Sequence, residues 1–192
     1  KKNKRKQQGA SKTYVSKKSQ RAAQLVQKAL NHHRQGQLAE AHQSYEEALE
    51  LDPKHVDANH LLGALFAQKK NDQMAITYME RAIQEKPDFV EAHINLGHAY
   101  RRTNQRAHAI RAFRTALEAK PTELYIACLL AMAFRENGQF KEAVTILQQS
   151  IDTDEKDATL WNELGNTLKA AGALAEAVGV YQKAKIIDEN LL

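Results

Sequence analysis

The sequence is poor in the residues that usually announce a chemistry. It has one cysteine, three prolines, one tryptophan and eight glycines in 192 residues. A lone Cys128 rules out an internal disulfide framework and fits a reducing compartment, so a cytoplasmic protein is expected. No apolar run approaches the ~18–20 residues of a membrane-spanning helix. The given opening is polar, so no secretory signal is visible in it. There is no glycine-rich phosphate loop, no G-x-S-x-G elbow and no cysteine in a nucleophile motif. The acidic residues read as helix-surface charge, so no catalytic residue and no enzyme activity are expected. The eight histidines fall between His32 and His108, yet none forms the i, i+4 pair of a helical metal site. His32 and His33 are adjacent and diverge on a helix, and His93 and His98 stand roughly 140° apart around one. No metal and no other cofactor is expected.

Charge is unevenly spread. The formal net charge is +5, but residues 1–21 hold nine Lys or Arg and no acid. The rest of the chain has 19 basic against 23 acidic residues, a net of −4. Residues 1–21 are nearly free of apolar side chains and are expected to form a disordered basic tail. Such a tail serves either as a solubilising leader or as an electrostatic handle for nucleic acid or an anionic membrane. Tyr14 is its only aromatic, which weakens the nucleic-acid reading.

What the chain does have is a period. Pro53, Pro87 and Pro121 are 34 residues apart. The same step links Ala41, Ala75, Ala109, Ala143 and Ala177. It links Leu62-Gly63, Leu96-Gly97, Leu130-Ala131 and Leu164-Gly165. At a large position it gives Tyr45, Met79, Phe113, Leu147 and Tyr181. A fixed period of this length marks a stacked array of helical units. Within residues 90–102 the apolar and small residues fall close to helical spacing. Gly97 inside a helix costs about 1 kcal/mol relative to Ala, which calls for close approach of the partner helix at Ala109 or Phe113. Gly36, Asn104, Gly138 and Gly172 suit a left-handed helix end. Lys70 fills the same slot in the second unit, so that turn is expected to be the least ideal.

These residues resemble the tetratricopeptide repeat (TPR) family, with its W-x2-L-G-x2-Y…A-x3-F…P pattern over 34 residues. Trp161-x-x-Leu164-Gly165 carries the tryptophan form of the opening. The resemblance covers residues 22–191 as five repeats: 22–55, 56–89, 90–123, 124–157 and 158–191. It implies an all-α fold, a right-handed α-solenoid of five helix-turn-helix repeats. The outer repeats depart from the pattern, with Lys28 and His32 in the first and Glu155 and Glu189 in place of proline.

The resemblance also implies that the first helix of each repeat lines a concave groove. The groove residues are then His60 and Ala64 in repeat two and Asn95, His98, Arg101 and Arg102 in repeat three. Repeat four supplies Tyr125, Cys128, Leu129, Met132 and Arg135, and repeat five Asn162, Glu163, Asn166 and Lys169. The set suggests a protein or peptide partner with an apolar anchor and an acidic group. The carboxylate clamp of chaperone-binding members finds no match in any register; starting at repeat two its slots hold His60, Ala64, Asn95, Tyr125 and Leu129. The asparagine ladder of the O-linked N-acetylglucosamine transferases keeps only Asn95 among five slots. Arg106, Arg111 and Arg114 are expected outside the groove. They make repeat three the positive one, with six basic residues against three acidic.

The last repeat lacks a polar cap. Val178, Tyr181, Ile186 and Ile187 leave apolar surface where a solenoid normally ends in polar residues. The native chain is therefore expected to continue past Leu192, or to self-associate through this end. The function expected is a protein–protein interaction scaffold. The alternative is an N-terminal substrate-recruiting module of a sulfo-, glycosyl- or methyltransferase.

Overall fold

A computed structural model describes residues 17–188. It contains ten helices in sequence: α1 (Lys17–Arg34), α2 (Leu38–Leu51), α3 (Val56–Gln68), α4 (Asp72–Glu85), α5 (Val90–Arg102), α6 (Arg106–Ala119), α7 (Leu124–Glu136), α8 (Phe140–Thr153), α9 (Ala158–Ala170) and α10 (Leu174–Ile187). They pack as five consecutive antiparallel pairs, each pair against the next. The expected basic tail lies mostly outside the described residues. Where the two overlap, α1 already runs as helix from Lys17, ahead of the expected boundary at residue 22. Its first turn is Lys17, Lys18, Ser19 and Gln20, none of which opposes helix formation.

Each helix pair turns over on one left-handed residue: Gly36, Lys70, Asn104, Gly138 and Gly172, with φ between +58° and +85°. The amide one residue later donates back five residues, as Gln105 to Tyr100 at 2.8 Å and Asn71 to Phe66 at 2.9 Å. This double-bonded helix end satisfies carbonyls that would otherwise face no donor. The Lys70 turn is as well hydrogen-bonded as the others. Its cost lies in the φ of +58° that a lysine must adopt.

The core repeats with the sequence. Ala41, Ala75, Ala109 and Ala143 are fully buried, as are Ala48, Ala82 and Ala116. Small residues let the two helices of a pair approach, and a large side chain from the second helix fills the space over the first. A Cβ added at Gly97 would sit 2.6 Å from the ring of Phe113, and one at Gly165 the same distance from Tyr181. At Gly63 it would meet Cγ of Met79 at 2.9 Å. Repeat four uses a different pair, Ala131 with Leu147, both fully buried.

A side-chain bond ties three of the first helices, α3, α5 and α9, to the linker before them. Nδ2 of Asn59 donates to the carbonyl of Pro53 at 3.0 Å. Nε2 of His93 donates to the carbonyl of Pro87 at 2.7 Å, and Nε1 of Trp161 to that of Glu155 at 2.8 Å. Successive members are 34 and 68 residues apart, at one position of the repeat. In repeat four that position is Ala127, which has no donor to offer Pro121.

The two ends differ. On α1, Lys28 is exposed where the inner repeats bury Leu62, Leu96 and Leu130, and Gln24 where they bury Ala58, Ala92 and Ile126. On α10, Leu174, Val178 and Ile186 are exposed, Ile186 at 82%. The first helix thus carries a polar outer face, and the last carries an apolar one.

Candidate functional site

The first helices of the pairs, α1, α3, α5, α7 and α9, are stitched together by polar side chains. The partners stand about one repeat apart. His33 Nε2 lies 2.9 Å from Oε1 of Gln68. Nδ2 of Asn95 donates to Nε2 of His60 at 3.0 Å. Arg101 grips Glu136 with two bonds, through Nε at 2.8 Å and through Nη2. Nη1 of Arg135 donates to Glu163 at 2.8 Å and to Oγ1 of Thr167 at 3.3 Å. Arg102 reaches sideways to Asp72, the first residue of α4.

This changes the reading of the basic groove residues. Arg101, Arg102 and Arg135 were expected to present their charge to a partner. All three instead neutralise carboxylates of the chain itself. Their side chains form part of the wall that holds neighbouring repeats in register. The Arg101 guanidinium holds the Glu136 carboxyl below its usual range and is itself raised by it, so the pair is ionised across the ordinary pH range.

The other expected residues divide by neighbourhood. His60 and Asn95 meet each other, and His60 also lies against the Phe89 ring at 4.6 Å. Burial lowers the pKa of His60 and outweighs the opposing pull of Glu91 and Asp57. His98 packs edge-on to Phe113 at 5.3 Å. Burial, then the nearby Arg101 and Arg102, lower its pKa too. Both rings are neutral at neutral pH. Asn166 accepts from the Tyr181 hydroxyl at 2.8 Å, and its amide reaches Glu163 at 3.4 Å. Asn162 is half-buried and Lys169 is exposed. Leu129 and Met132 are half-buried on α7, and Tyr125, one turn before Leu129, is 54% exposed. Cys128 is buried, and its thiol is pushed up to about 12, which leaves it protonated and unreactive.

One hollow of about 420 Å³ lies where α5 turns into α6, beside the end of α7. It is lined by His98, Arg101, Arg102, Asn104, Arg106 and Glu136. Arg106 was expected outside the groove, with the outer helix. It is the first residue of α6, which brings it back beside the last turn of α5. The step that finds the polar wall in sequence is 35 residues, one more than the repeat: His33 to Gln68, His60 to Asn95 and Arg101 to Glu136. A second hollow, of about 500 Å³, opens between α6 and α8 and is apolar, lined by Leu117, Leu130, Phe134 and Ile146. Arg114 stands over the Phe134 ring there, 5.6 Å from its centre.

Among the described residues no group of three or more His, Cys, Asp or Glu could hold a metal ion. No helix among them is long and apolar enough to cross a membrane.

Five helix pairs on a common period, closed by the same turn and the same small-against-large contact, define an α-helical repeat array. A family model described as Tetratricopeptide repeat matches residues 26–89 and 128–190, and a second of the same description matches residues 65–133. The chain belongs to the tetratricopeptide repeat family. No curated protein matches it in sequence. Among solved structures it is similar to a MamA protein, with 19% identity, 88% of this chain and 93% of that one covered, and a TM-score of 0.81. It is similar to MamA from Desulfovibrio magneticus RS-1, residues 41 to the end, with 17% identity, coverage of 92% and 98%, and a TM-score of 0.79. It is also similar to YrrB, described as a TPR protein with an unusual peptide-binding site, with 20% identity, 88% of each chain covered, and a TM-score of 0.78. At these identities the likeness concerns the fold.

Proposed function

We propose that this chain is a non-enzymatic interaction scaffold that binds a peptide or protein segment along α3, α5, α7 and α9. The observation that carries this is the stripe Tyr125, Leu129 and Met132 on α7. These residues sit at i, i+4 and i+7, so they share one helix face. Tyr125 is more than half exposed, and the other two are half-buried. An exposed aromatic beside adaptable aliphatic side chains is the composition of an interface centre. The polar wall on either side supports it, because His60 with Asn95 and Arg135 with Glu163 are already fixed before any partner arrives. A surface ordered in advance loses less freedom on binding. The family, and the peptide-binding site named for YrrB, support a peptide or protein as the occupant.

The test is to pan a random peptide library on the purified chain and map the selected peptides by amide chemical shifts. Shifts should gather on α5, α7 and α9. Replacing Tyr125 and Met132 by Ala should weaken binding by about 10- to 100-fold. Peptides that map instead to the α6–α8 hollow, and ignore both replacements, overturn the assignment.

The exposed Leu174, Val178 and Ile186 favour a second reading for the array as a whole. The last repeat would stack on a further apolar surface: either another copy of the chain, or the catalytic domain of a transferase for which the array recruits substrate. Sedimentation separates these. Concentration-dependent assembly that Ile186→Glu abolishes supports the copy, and a monomer at every concentration removes it.

A further inference from the structure

We infer that the hollow between the end of α5 and the start of α6 receives a single carboxylate of the bound segment, with Arg106 as the cation that meets it. This rests on the groove reading above and names the acidic group that reading calls for.

Three guanidinium groups line the hollow: Arg101, Arg102 and Arg106. Arg101 is cancelled by Glu136 and Arg102 by Asp72. Among the described residues no ion pair holds Arg106, whose influence reaches Glu136 only through space, behind Arg101 and Arg135. His98 adds no charge at neutral pH. The hollow therefore carries one positive charge in excess, which a monoanion neutralises and a dianion overcompensates.

The donors agree with the charge. Asn104 lines the hollow at the apex of the turn, where its φ is +58°. Arg106 opens α6, and the first turn of α6 has no acidic residue and no side-chain cap. Every other second helix has a carboxylate in that turn: Glu40, Asp72, Glu142 and Glu176. At α6 a positive helix end, Arg106 and Asn104 face the same space, and the one acid that lines it, Glu136, is already held by Arg101. An incoming carboxylate completes what the other second helices supply internally. Arg101 and Arg102, fixed by their own carboxylates, form the walls.

The full chain, with arginine side chains labelled with nitrogen-15, is titrated at constant ionic strength with acetate, with inorganic phosphate and with acetamide. Acetate should move the Arg106 Nε–H signal to a plateau in about the millimolar range, with Arg111 and Arg114 as exposed controls that do not saturate. Acetamide should not, and phosphate should bind no more tightly than acetate. For peptides selected on the groove, changing an essential Glu or Asp to its amide should cost about fivefold, and Arg106→Gln should erase that difference. Tighter binding of phosphate, or equal shifts at all exposed arginines, overturns the inference. Peptides that fill the groove yet ignore Arg106→Gln overturn it while the groove reading stands. Saturable acetate binding at Arg106 with no peptide bound to α7 upholds the hollow and overturns the groove.

Discussion

The ring of Phe113 stands 2.6 Å from where a Cβ on Gly97 would be, closer than a Cβ approaches a non-bonded atom. The two residues are one contact split between the helices of repeat three. By helix propensity alone, Gly97→Ala should stabilise α5 by about 1 kcal/mol. The contact reverses that sign. Phe113 is fully buried and has no room to turn aside, so the added methyl should cost about 1–3 kcal/mol. Repeat four shows the remedy, since Ala131 lies opposite Leu147 there. Gly97→Ala with Phe113→Leu should recover part of the loss, read as a urea midpoint. A stabilised single variant would mean that the glycine is not held by the ring.

Much of this was legible in the sequence because it depends on residue identity at a fixed period. The turn residues, the buried alanines and the Gly97–Phe113 contact all follow from stacking one unit 34 residues after another. The polar wall did not follow. Arg101, Arg102 and Arg135 read as free charges because their partners lie 35, 30 and 28 residues away, and no single step finds all three. Arg106 belongs by sequence to the outer helix. It reaches the hollow only because the tight turn at Asn104 folds the start of α6 back beside the last turn of α5. The shared role of Asn59, His93 and Trp161 was hidden for another reason. Three unlike side chains perform one bond, and residue similarity gives no hint of it.

Lys70 offers a test of the turns. Its left-handed φ costs a side-chain residue about 1–2 kcal/mol, partly returned by the greater freedom glycine has when unfolded. Lys70→Gly should therefore stabilise the chain by about 0.5–1 kcal/mol in thermal or urea unfolding. Asn104→Gly should gain less, because asparagine tolerates this conformation. A loss at Lys70 would point to a contact of its side chain that outweighs the backbone.

The wall makes charge reversal a poor probe of binding. Arg135 and Glu163 keep only 20% and 16% of their side chains exposed, so Arg135→Glu would press two carboxylates together. Either residue changed to Ala should cost about 1–3 kcal/mol. A double-mutant cycle should return a coupling of about 1 kcal/mol. Additive losses would show that the pair contributes nothing as a pair.

His60 and His98 set a pH dependence. Their folded pKa values are lowered, first by burial, from the ordinary 6.5. Below 6.5 the unfolded chain takes up protons that the folded rings refuse, so stability falls as pH drops from 6.5 towards the folded values and is complete above 6.5. Protonated His60 also loses the acceptor that Asn95 uses. Urea midpoints should decline across this window, ahead of the carboxylates. His60→Gln with His98→Gln should flatten the decline, and an unchanged slope would assign it to other groups.

The linker bonds predict where the array opens first. Asn59, His93 and Trp161 each hold the carbonyl of the residue six positions earlier, and Ala127 holds nothing at Pro121. A missing bond of this kind is worth about 1 kcal/mol, enough for several-fold faster local opening. Amide exchange at residues 120–123 should therefore outpace that at 86–89 and 154–157. His93→Leu keeps the bulk and removes the donor, so it should lower stability by about 1–2 kcal/mol and bring 86–89 up to the rate of 120–123. Equal protection at all three linkers in the parent chain would show that packing, rather than this bond, closes the repeats. The faster junction lies between repeats three and four, next to Tyr125 at the start of the α7 stripe. A binder that spans α5 and α7 should then slow exchange at 120–123 more than anywhere else, which ties the weakest seam of the solenoid to the surface proposed to bind.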